Sequence, residues 1–311
     1  MTDLILHHYP QSPFAEKARL LLGFKGLSWH SVLIPPVMPK PDLTALTGGY
    51  RRTPVLQIGA DIYCDTALIA RRLEQEKATP ALFPEGREAA ATALAQFADQ
   101  VLFQHAVAIN FQPKGLAARF AGMPEEVIKG FVADRQKLFS GGTASRLDTQ
   151  VALSQWPTLL GRLETQLERN GDYLLGELAC IADFAYYHPL WFVASNAAVA
   201  EALDGYPAVR AWMQRIADVG HGAHTELSAA EAIGIAQAAT PQAIPESTFV
   251  SPLGLQVGQA VSVNAVDYGT DQVAGTLVYE DAEQIIIARE DERAGLLHVH
   301  FPRFGFALSA A

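Results

Sequence analysis

The sequence predicts three successive kinds of structure: an α/β domain, an all-α domain and a small all-β domain. Over residues 1–78, short apolar runs of strand length alternate with apolar residues at helical spacing. Over 88–239 the apolar residues recur only at helical spacing. Residues 253–311 contain short runs of strand type, separated by turns. A chain of 311 residues is long for one hydrophobic core, which agrees with two or three domains.

The first segment predicts a buried strand that runs directly into a capped helix. Residues 4–9 are mostly apolar and end at a proline. Ser12 and Pro13 then occupy the N-cap and first helical positions, where these residue types are favoured. Such a junction places free backbone N–H groups and the positive end of a helix dipole beside the Ser12 hydroxyl, which suits an anion. The charged side chains of this helix are expected to face outward: Glu16, Lys17 and Arg19.

The α/β pattern continues after this helix. A strand is predicted over 29–34, and a stiff, irregular, proline-rich loop over 35–49. Two apolar runs, 55–58 and 62–64, flank a Gly-Ala-Asp turn and predict a hairpin. A capped helix over 67–76 completes the order β-α-β-loop-β-β-α.

Only helices are predicted in the middle of the chain. Apolar residues recur every three or four positions in 88–111, 124–139, 155–169, 182–194 and 207–219. Ser140–Thr143 is a glycine-rich break, and 226–239 is a candidate for a further alanine-rich helix.

The C-terminal part predicts a small antiparallel barrel of SH3-like type. Pro241, Pro245 and Pro252 mark a linker. Four apolar or alternating runs follow, with turns between them: 260–266, 272–279, 284–289 and 296–301. We expect this domain to pack on the body of its own chain or to extend a dimer interface.

Composition disfavours several classes of function. The net charge of −10 argues against a nucleic-acid or membrane partner, and residues 245–311 contain nine acidic but three basic side chains. No apolar run is long enough to span a bilayer, and no secretion signal is recognised. Cys64 and Cys180 are too few for a disulfide framework and suggest a cytoplasmic protein. His298 and His300 share a strand face without an evident third ligand, so no metal is expected.

Five segments together resemble a known family. Ser12-Pro13-Phe14 followed by Arg19 is similar to the active-site segment of serine-type cytosolic glutathione transferases. The family's further motifs are matched in order: Arg52–Leu56 with its cis-proline, Asp65-Thr66, Ile181–Phe184, and Tyr206-Pro207 with Trp212. The resemblance covers residues 1–225 and implies a thioredoxin-like domain followed by a helical domain. The C-terminal β domain is an addition to the family pattern.

The resemblance also implies a glutathione site. Ser12 would donate a hydrogen bond to the thiolate; the alternative is that Ser12 only caps the helix. Thr53 and Pro54 would pair with the cysteinyl backbone, and Asp65 and Thr66 would hold the γ-glutamyl group.

A cation is needed for the glycine carboxylate of glutathione. Lys40 is preferred over Arg51 and Arg52 because of its place in the loop that borders this site in the family. Many family members that reduce disulfides have cysteine at the position of Ser12, so that chemistry is disfavoured here.

A hydrophobic electrophile would be the second substrate, in a pocket formed by aromatic and amphipathic side chains: Phe14, Phe103, His105, Phe111 and Tyr187. Core packing is the competing explanation for each of them. The family implies a homodimer. Two other functions remain open: a glutathione-dependent isomerase or peroxidase on the same scaffold, and a non-catalytic binding protein with the same fold.

Overall fold

The computed structural model of the chain describes residues 3–245 and 248–311. The predicted first domain begins at residue 1, and Met1 and Thr2 lie outside these ranges. The strands are β1 Leu4–His8, β2 Trp29–Leu33, β3 Val55–Ile58, β4 Asp61–Cys64, β5 His224–Glu226, β6 Ala260–Ala265, β7 Val273–Glu280, β8 Gln284–Asp291, β9 Gly295–Pro302 and β10 Phe306–Ala310.

The helices are α1 Pro13–Phe24, α2 Pro41–Thr47, α3 Thr66–Glu76, α4 Glu88–Phe97, α5 Phe103–Asn110, α6 Pro113–Arg119, α7 Glu125–Leu138, α8 Thr149–Asn170, α9 Ile181–Ala194, α10 Pro207–Ala217 and α11 Ala229–Ala238. A short π-helix, Ala98–Leu102, joins α4 to α5. Within the described ranges, none of these helices has both the length and the apolar character needed to cross a membrane.

The predicted α/β domain at the N-terminus is confirmed. β1 is parallel to β2 and antiparallel to β3, and β4 continues the sheet next to β3. All of β1 is buried because both faces of the strand are covered. Leu4 and Leu6 face a core that extends into the helical domain, whereas Ile5 packs near Ala232 of α11. A near-continuous apolar strand is typical of this two-sided burial.

The prediction of an irregular loop over 35–49 was wrong for its second half, because α2 lies there. Pro41 occupies the first turn of α2, where the absence of an N–H has no cost. Gly48 ends the helix with a φ of 75°, a left-handed conformation that glycine adopts without steric strain.

The predicted all-α domain is also confirmed, with α9 at its centre. α9 is buried over most of its length and contacts α1, α4, α5 and α10. The carboxylate of Asp183 accepts a hydrogen bond from the Cys180 N–H at 2.9 Å and from Trp212 Nε1 at 3.0 Å. The start of α9 is thereby tied to α10.

Residues 224–238 fall within the predicted helical range but contact the N-terminal sheet. β5 pairs in parallel with the outer edge of β2, and α11 contacts α2 and β9. The alanine-rich helix predicted near 226–239 is therefore present, and it covers one face of the sheet.

The C-terminal region contains the predicted strands and a fifth one. β6 to β9 form an antiparallel meander, and β10 returns to pair with β6. β9 also lies parallel to β4, with Ile62 opposite Val299. One ten-stranded sheet therefore results, in the order β10-β6-β7-β8-β9-β4-β3-β1-β2-β5. The region packs on its own chain, which was one of the two expected arrangements.

The two histidines that had been weighed as metal ligands both face β4. His300 Nε2 lies 2.8 Å and His298 Nδ1 3.8 Å from Asp61 Oδ1, and the Tyr63 ring stacks on His300 at 4.3 Å. In the part of the chain that the structure describes, no three His, Cys, Asp or Glu side chains are grouped as a metal site requires.

A second contact joins the C-terminal region to the glycine-rich break after α7. The N–H groups of Thr143 and Ala144 donate to the carbonyl oxygens of Val266 and Asp267, each at 3.0 Å. A Cβ atom at Gly142 would lie 1.7 Å from the Asp267 carbonyl oxygen. Only a glycine allows this close approach of the two backbones.

We predict that Gly142→Ala destabilises the protein by about 1–3 kcal/mol, because the added methyl group forces the two backbones apart. Thermal or urea unfolding measures the effect. Gly130→Ala is the matched control, since nothing lies within 4 Å of its Cβ position in α7. The control should stabilise the helix by roughly 0.5–1 kcal/mol. Equal stability of the two variants would contradict the prediction.

Candidate functional site

Ser12 is the N-cap of α1, as predicted. Its Oγ accepts a hydrogen bond from the Ala15 N–H at 3.2 Å, and its own N–H donates to the Tyr9 carbonyl. The side chain is buried but lines a cavity. Since Oγ acts as an acceptor towards the helix, its hydroxyl proton remains available, and no described residue accepts it. Ser12 can therefore cap α1 through its oxygen and still donate a hydrogen bond through its hydroxyl proton.

Thr53 and Lys40 also line this cavity and contact each other. The Thr53–Pro54 peptide bond is cis. Lys40 Nζ donates to Thr53 Oγ1 at 3.1 Å and lies 3.4 Å from the Arg51 carbonyl oxygen. Burial, followed by the nearby Arg135, lowers the pKa of Lys40 to about 8, while Asp134 opposes the shift. No ion pair with a carboxylate is found for Lys40 within the described ranges, so its charge is free to meet an anionic ligand.

Arg51 and Arg52, the two other candidate cations, already have acidic partners. Arg51 Nη2 lies 2.7 Å from Asp134 Oδ1. Arg52 forms an ion pair with Asp267 of the C-terminal region and lies 3.9 Å from Asp65. These contacts favour Lys40 over both arginines as the cation for a ligand.

Asp65 and Thr66 stand at the N-terminus of α3. Asp65 has a φ of 74°, and its carboxylate accepts from the Ala67 N–H at 2.9 Å. Burial raises the pKa of Asp65, whereas Arg52 and the Ala67 N–H act against the shift. Non-glycine residues with a positive φ are rare in proteins, and those that occur are concentrated at functional sites. Both residues lie beside the cavity rather than in its wall.

A buried charge network lies behind Thr66. Lys17 Nζ donates to Thr66 Oγ1 at 3.2 Å and to Asp99 Oδ2 at 2.6 Å. The other oxygen of Asp99 lies 2.8 Å from His188 Nε2. Asp99 belongs to the π-helix between α4 and α5, a feature that is frequent at functional sites.

The outward orientation expected for the charged residues of α1 was wrong. Lys17, Glu16 and Arg19 are all buried. Glu16 lies 2.6 Å from Arg19 Nη2 and 3.1 Å from His221 Nε2. Arg19 also donates to the Pro10 carbonyl at 3.0 Å, so this pair supports the turn that leads to Ser12. Periodicity could not reveal the partners Thr66, Asp99 and His221, because they come from distant elements. The Glu16–Arg19 pair lies within α1 itself.

The cavity has a volume of about 100 Å³. The polar residues that line it include Ser12, Lys40, Arg51, Arg52, Thr53 and Asp134. The apolar and aromatic ones include Phe14, Phe103, Leu138, Phe139 and Tyr268. The Phe14 and Phe103 rings meet edge to face at 4.7 Å. Small-molecule sites usually enclose about 300–1,000 Å³, so this cavity is narrow.

Three of the residues predicted for the second-substrate pocket are used elsewhere. His105 is buried and lies 2.8 Å from both the Val101 carbonyl and Gln155 Oε1. Tyr187 is buried against Trp212, and Phe111 meets Phe192 edge to face at 6.2 Å. None of the three lines the cavity. Core packing accounts for their helical spacing.

Comparisons with known proteins decide the family. A model of the glutathione S-transferase N-terminal domain matches residues 6–81, and one of the C-terminal domain matches 117–215. The chain is 50% identical to a GST-like protein of known crystal structure from Pseudomonas syringae, over 100% of both chains and with a TM-score of 0.83. The chain belongs to the glutathione S-transferase superfamily.

Two more distant structures share the fold. A glutathione S-transferase from Rhodospirillum rubrum F11 is 19% identical, over 68% of this chain and 87% of that chain, with a TM-score of 0.53. Glutathione S-transferase III is 21% identical, over 69% and 91%, with a TM-score of 0.51. No curated protein matches the sequence. The Pseudomonas syringae protein also spans the C-terminal β-region, because the match covers this chain completely.

The superfamily pattern did not identify two groups of residues near the site. One group is Lys17, Asp99 and His188. The other is Tyr268, which lines the cavity from the C-terminal region, together with its neighbour Asp267, which pairs with Arg52. A lysine five residues after Ser12 gave a weak signal for the first group. Nothing local in the sequence pointed to the second.

We predict that Lys17→Met destabilises the fold by about 3–5 kcal/mol, because it leaves the Asp99 carboxylate without its cation in a poorly solvated position. Urea unfolding at neutral pH measures the loss. The control is Lys129→Met, which removes an exposed pair with Glu125 and should change stability by less than about 1 kcal/mol. A Lys17→Met variant as stable as the control would show that the network is not structural.

Three buried histidines around α1 predict a loss of stability in acid. Burial is the main cause that lowers the pKa of His7 to about 4, of His8 to about 3 and of His188 to about 4. The unfolded chain protonates histidine near pH 6.5, so it binds more protons than the folded chain between that pH and about 4. Stability should therefore fall as the pH decreases through this interval.

Urea unfolding between pH 7 and pH 4.5 measures this dependence, which amounts to at most about 1.4 kcal/mol per pH unit for each histidine. His188→Gln should remove one histidine's share of the slope. The control Ser154→Ala changes an exposed residue of α8 that carries no titratable group, and it should leave the slope unchanged. A wild-type stability that is constant over the interval would refute the assignment.

Proposed function

We propose that the protein is a glutathione transferase, which binds glutathione and stabilises its thiolate for attack on a hydrophobic electrophile. The observation that carries the proposal is the position of Ser12, whose hydroxyl lies at the N-terminus of α1, lines the cavity and has an uncommitted proton. Membership of the superfamily supports the same activity. A homodimer and a cytoplasmic location form part of this proposal.

The energetic requirement is modest. A thiol with a pKa near 8.5 is mostly protonated at neutral pH, and lowering this value by about 2 units requires roughly 2.7 kcal/mol of preferential thiolate binding. A hydrogen bond to a charged group contributes about 1.5–3 kcal/mol, and a helix N-terminus about 0.3–1 kcal/mol. The Ser12 hydroxyl and the first turn of α1 can together supply this energy.

The remaining parts of the tripeptide have matching partners. The N–H and C=O of Thr53 form no backbone hydrogen bond within the described ranges and can pair with an extended peptide. Lys40 suits the glycine carboxylate, because it is the cavity cation that lacks an acidic partner there.

The γ-glutamyl group would lie at the start of α3. Asp65 would accept from its ammonium, and the Thr66 hydroxyl would donate to its carboxylate. Thr66 Oγ1 already accepts from Lys17, so its proton can turn towards a ligand, and the Lys17 charge lies close behind it. Phe14 and Phe103 would then receive an apolar electrophile beside the sulfur.

We predict that Ser12→Ala retains glutathione binding but raises the apparent pKa of the bound thiol by about 1–2 units, because the thiolate loses its charge-assisted hydrogen bond. Titration of the thiolate absorbance of the binary complex against pH measures the shift, and calorimetry measures binding. Turnover of a chloronitroarene at neutral pH should fall roughly 10- to 100-fold.

Ser154→Ala is the control, since that serine is exposed on α8 and donates to the Val151 carbonyl. It should keep the wild-type titration. An unshifted titration for Ser12→Ala would assign thiolate stabilisation to another donor. Absence of glutathione binding by the wild-type protein would reject the transferase and favour a non-catalytic role. Turnover of a hydroperoxide or a maleyl compound in place of the chloronitroarene would favour the peroxidase or the isomerase.

A further inference from the structure

Tyr268 is the residue through which the C-terminal β-region reaches the cavity. It lies in the loop between β6 and β7, and its ring contacts Arg52 and Phe139. Arg52 Cζ lies 3.9 Å from the ring centroid, and the Phe139 ring stacks on it at 5.0 Å with an interplanar angle of 27°. Aromatic pairs and cation–π contacts of this geometry each stabilise a fixed ring orientation.

Hydrogen bonds also fix the backbone around Tyr268. Arg52 Nε donates to the Tyr268 carbonyl at 3.0 Å, and the Gly269 N–H donates to the Leu138 carbonyl at 2.6 Å. Gly269 has a φ of 56°, which lets the chain turn between these two anchors. One anchor belongs to the N-terminal domain and the other to α7, so the loop is attached to both transferase domains.

The two stacked rings differ in their exposure to solvent. Phe139 lines the cavity and yet is 47% exposed, which places this ring at the mouth. Tyr268 lies further in and is half-buried. Burial raises the pKa of Tyr268 to about 12, so the phenol stays uncharged and forms a neutral wall next to the Arg52 guanidinium.

We propose that Tyr268 is a specificity-determining residue: its ring narrows the cavity and limits the size of the electrophile that fits beside the thiolate. The inference rests on the proposed transferase function. It explains the small volume of the cavity by a side chain that the two transferase domains do not provide. The C-terminal β-region then contributes to substrate choice as well as to the fold.

Two electrophiles with the same reacting carbon test the proposal: para-methylbenzyl chloride and para-butylbenzyl chloride. In both reactions the glutathione sulfur forms a bond to the benzylic carbon, chloride leaves with the bonding electrons, and the thiol proton is released to solvent. The measured quantity is the butyl-to-methyl ratio of kcat/KM. A variant that is partly unfolded loses both rates equally, so a purely structural role leaves this ratio unchanged.

Tyr268→Ala should raise the ratio at least about 10-fold, since even one methylene group in an apolar pocket changes selectivity by that order. Tyr268→Phe keeps the ring and should keep the wild-type ratio. The control Phe304→Ala alters an aromatic side chain of the same region that is 64% exposed and does not line the cavity, and it should also keep the ratio.

Calorimetric binding of glutathione separates this inference from the proposed function. If the wild-type protein does not bind glutathione, both are overturned. If binding is normal but Tyr268→Ala leaves the ratio unchanged, the inference alone is overturned. It is likewise overturned if Tyr268→Ala weakens glutathione binding without a change in the ratio, or if Tyr268→Phe changes the ratio as much as Tyr268→Ala does. A raised ratio in Tyr268→Ala alone supports it.

Discussion

The pairing of β4 with β9 is the constraint on which the rest of the arrangement depends. An unpaired edge strand exposes backbone donors and acceptors, and β9 satisfies them at the far side of β4. Ile62 and Val299, which face each other in this pairing, belong to one apolar core with Phe301 and Leu46. The C-terminal strands therefore share both hydrogen bonds and buried surface with the transferase fold. This attachment brings the loop between β6 and β7 over the cavity.

The cavity is surrounded by charges that are mostly already paired. Glu16 and Arg19 pair beneath the turn that leads to Ser12, and Lys17 pairs with Asp99 behind α3. A charge that is removed from water has to be matched by an opposite charge or by hydrogen bonds, since its desolvation is otherwise expensive. Such a framework holds polar groups in place before a ligand arrives, and preorganised groups of this kind stabilise a developing anion best. Lys40, without a carboxylate partner among the described residues, is the exception that a ligand can use.

The sequence anticipated those parts of the site whose signals are local. Ser12 at the start of α1 and Asp65-Thr66 at the start of α3 are helix caps, and a cap is recognised from the few residues that follow it. The aromatic residues were harder to assign, because helical spacing is the same for a core residue and for a cavity residue. Phe14 and Phe103 meet at the cavity. His105 and Tyr187 instead contact side chains of neighbouring helices, Gln155 and Trp212. The burial of Lys17 was missed because its partner Asp99 is distant in the chain.

The amino-acid sequence by itself determined the three kinds of structure along the chain, most of the strands and helices, and the capped starts of α1 and α3, because each depends on neighbours within a few residues. Only the tertiary structure decided that β5 and α11 join the N-terminal sheet, that β9 completes the edge of β4, and that Tyr268 reaches the cavity. These features depend on contacts between residues far apart in sequence. Such contacts form where unpaired strand edges and apolar surfaces come together in the folded chain. The spacing of residues along the sequence does not specify which edges and surfaces will pair.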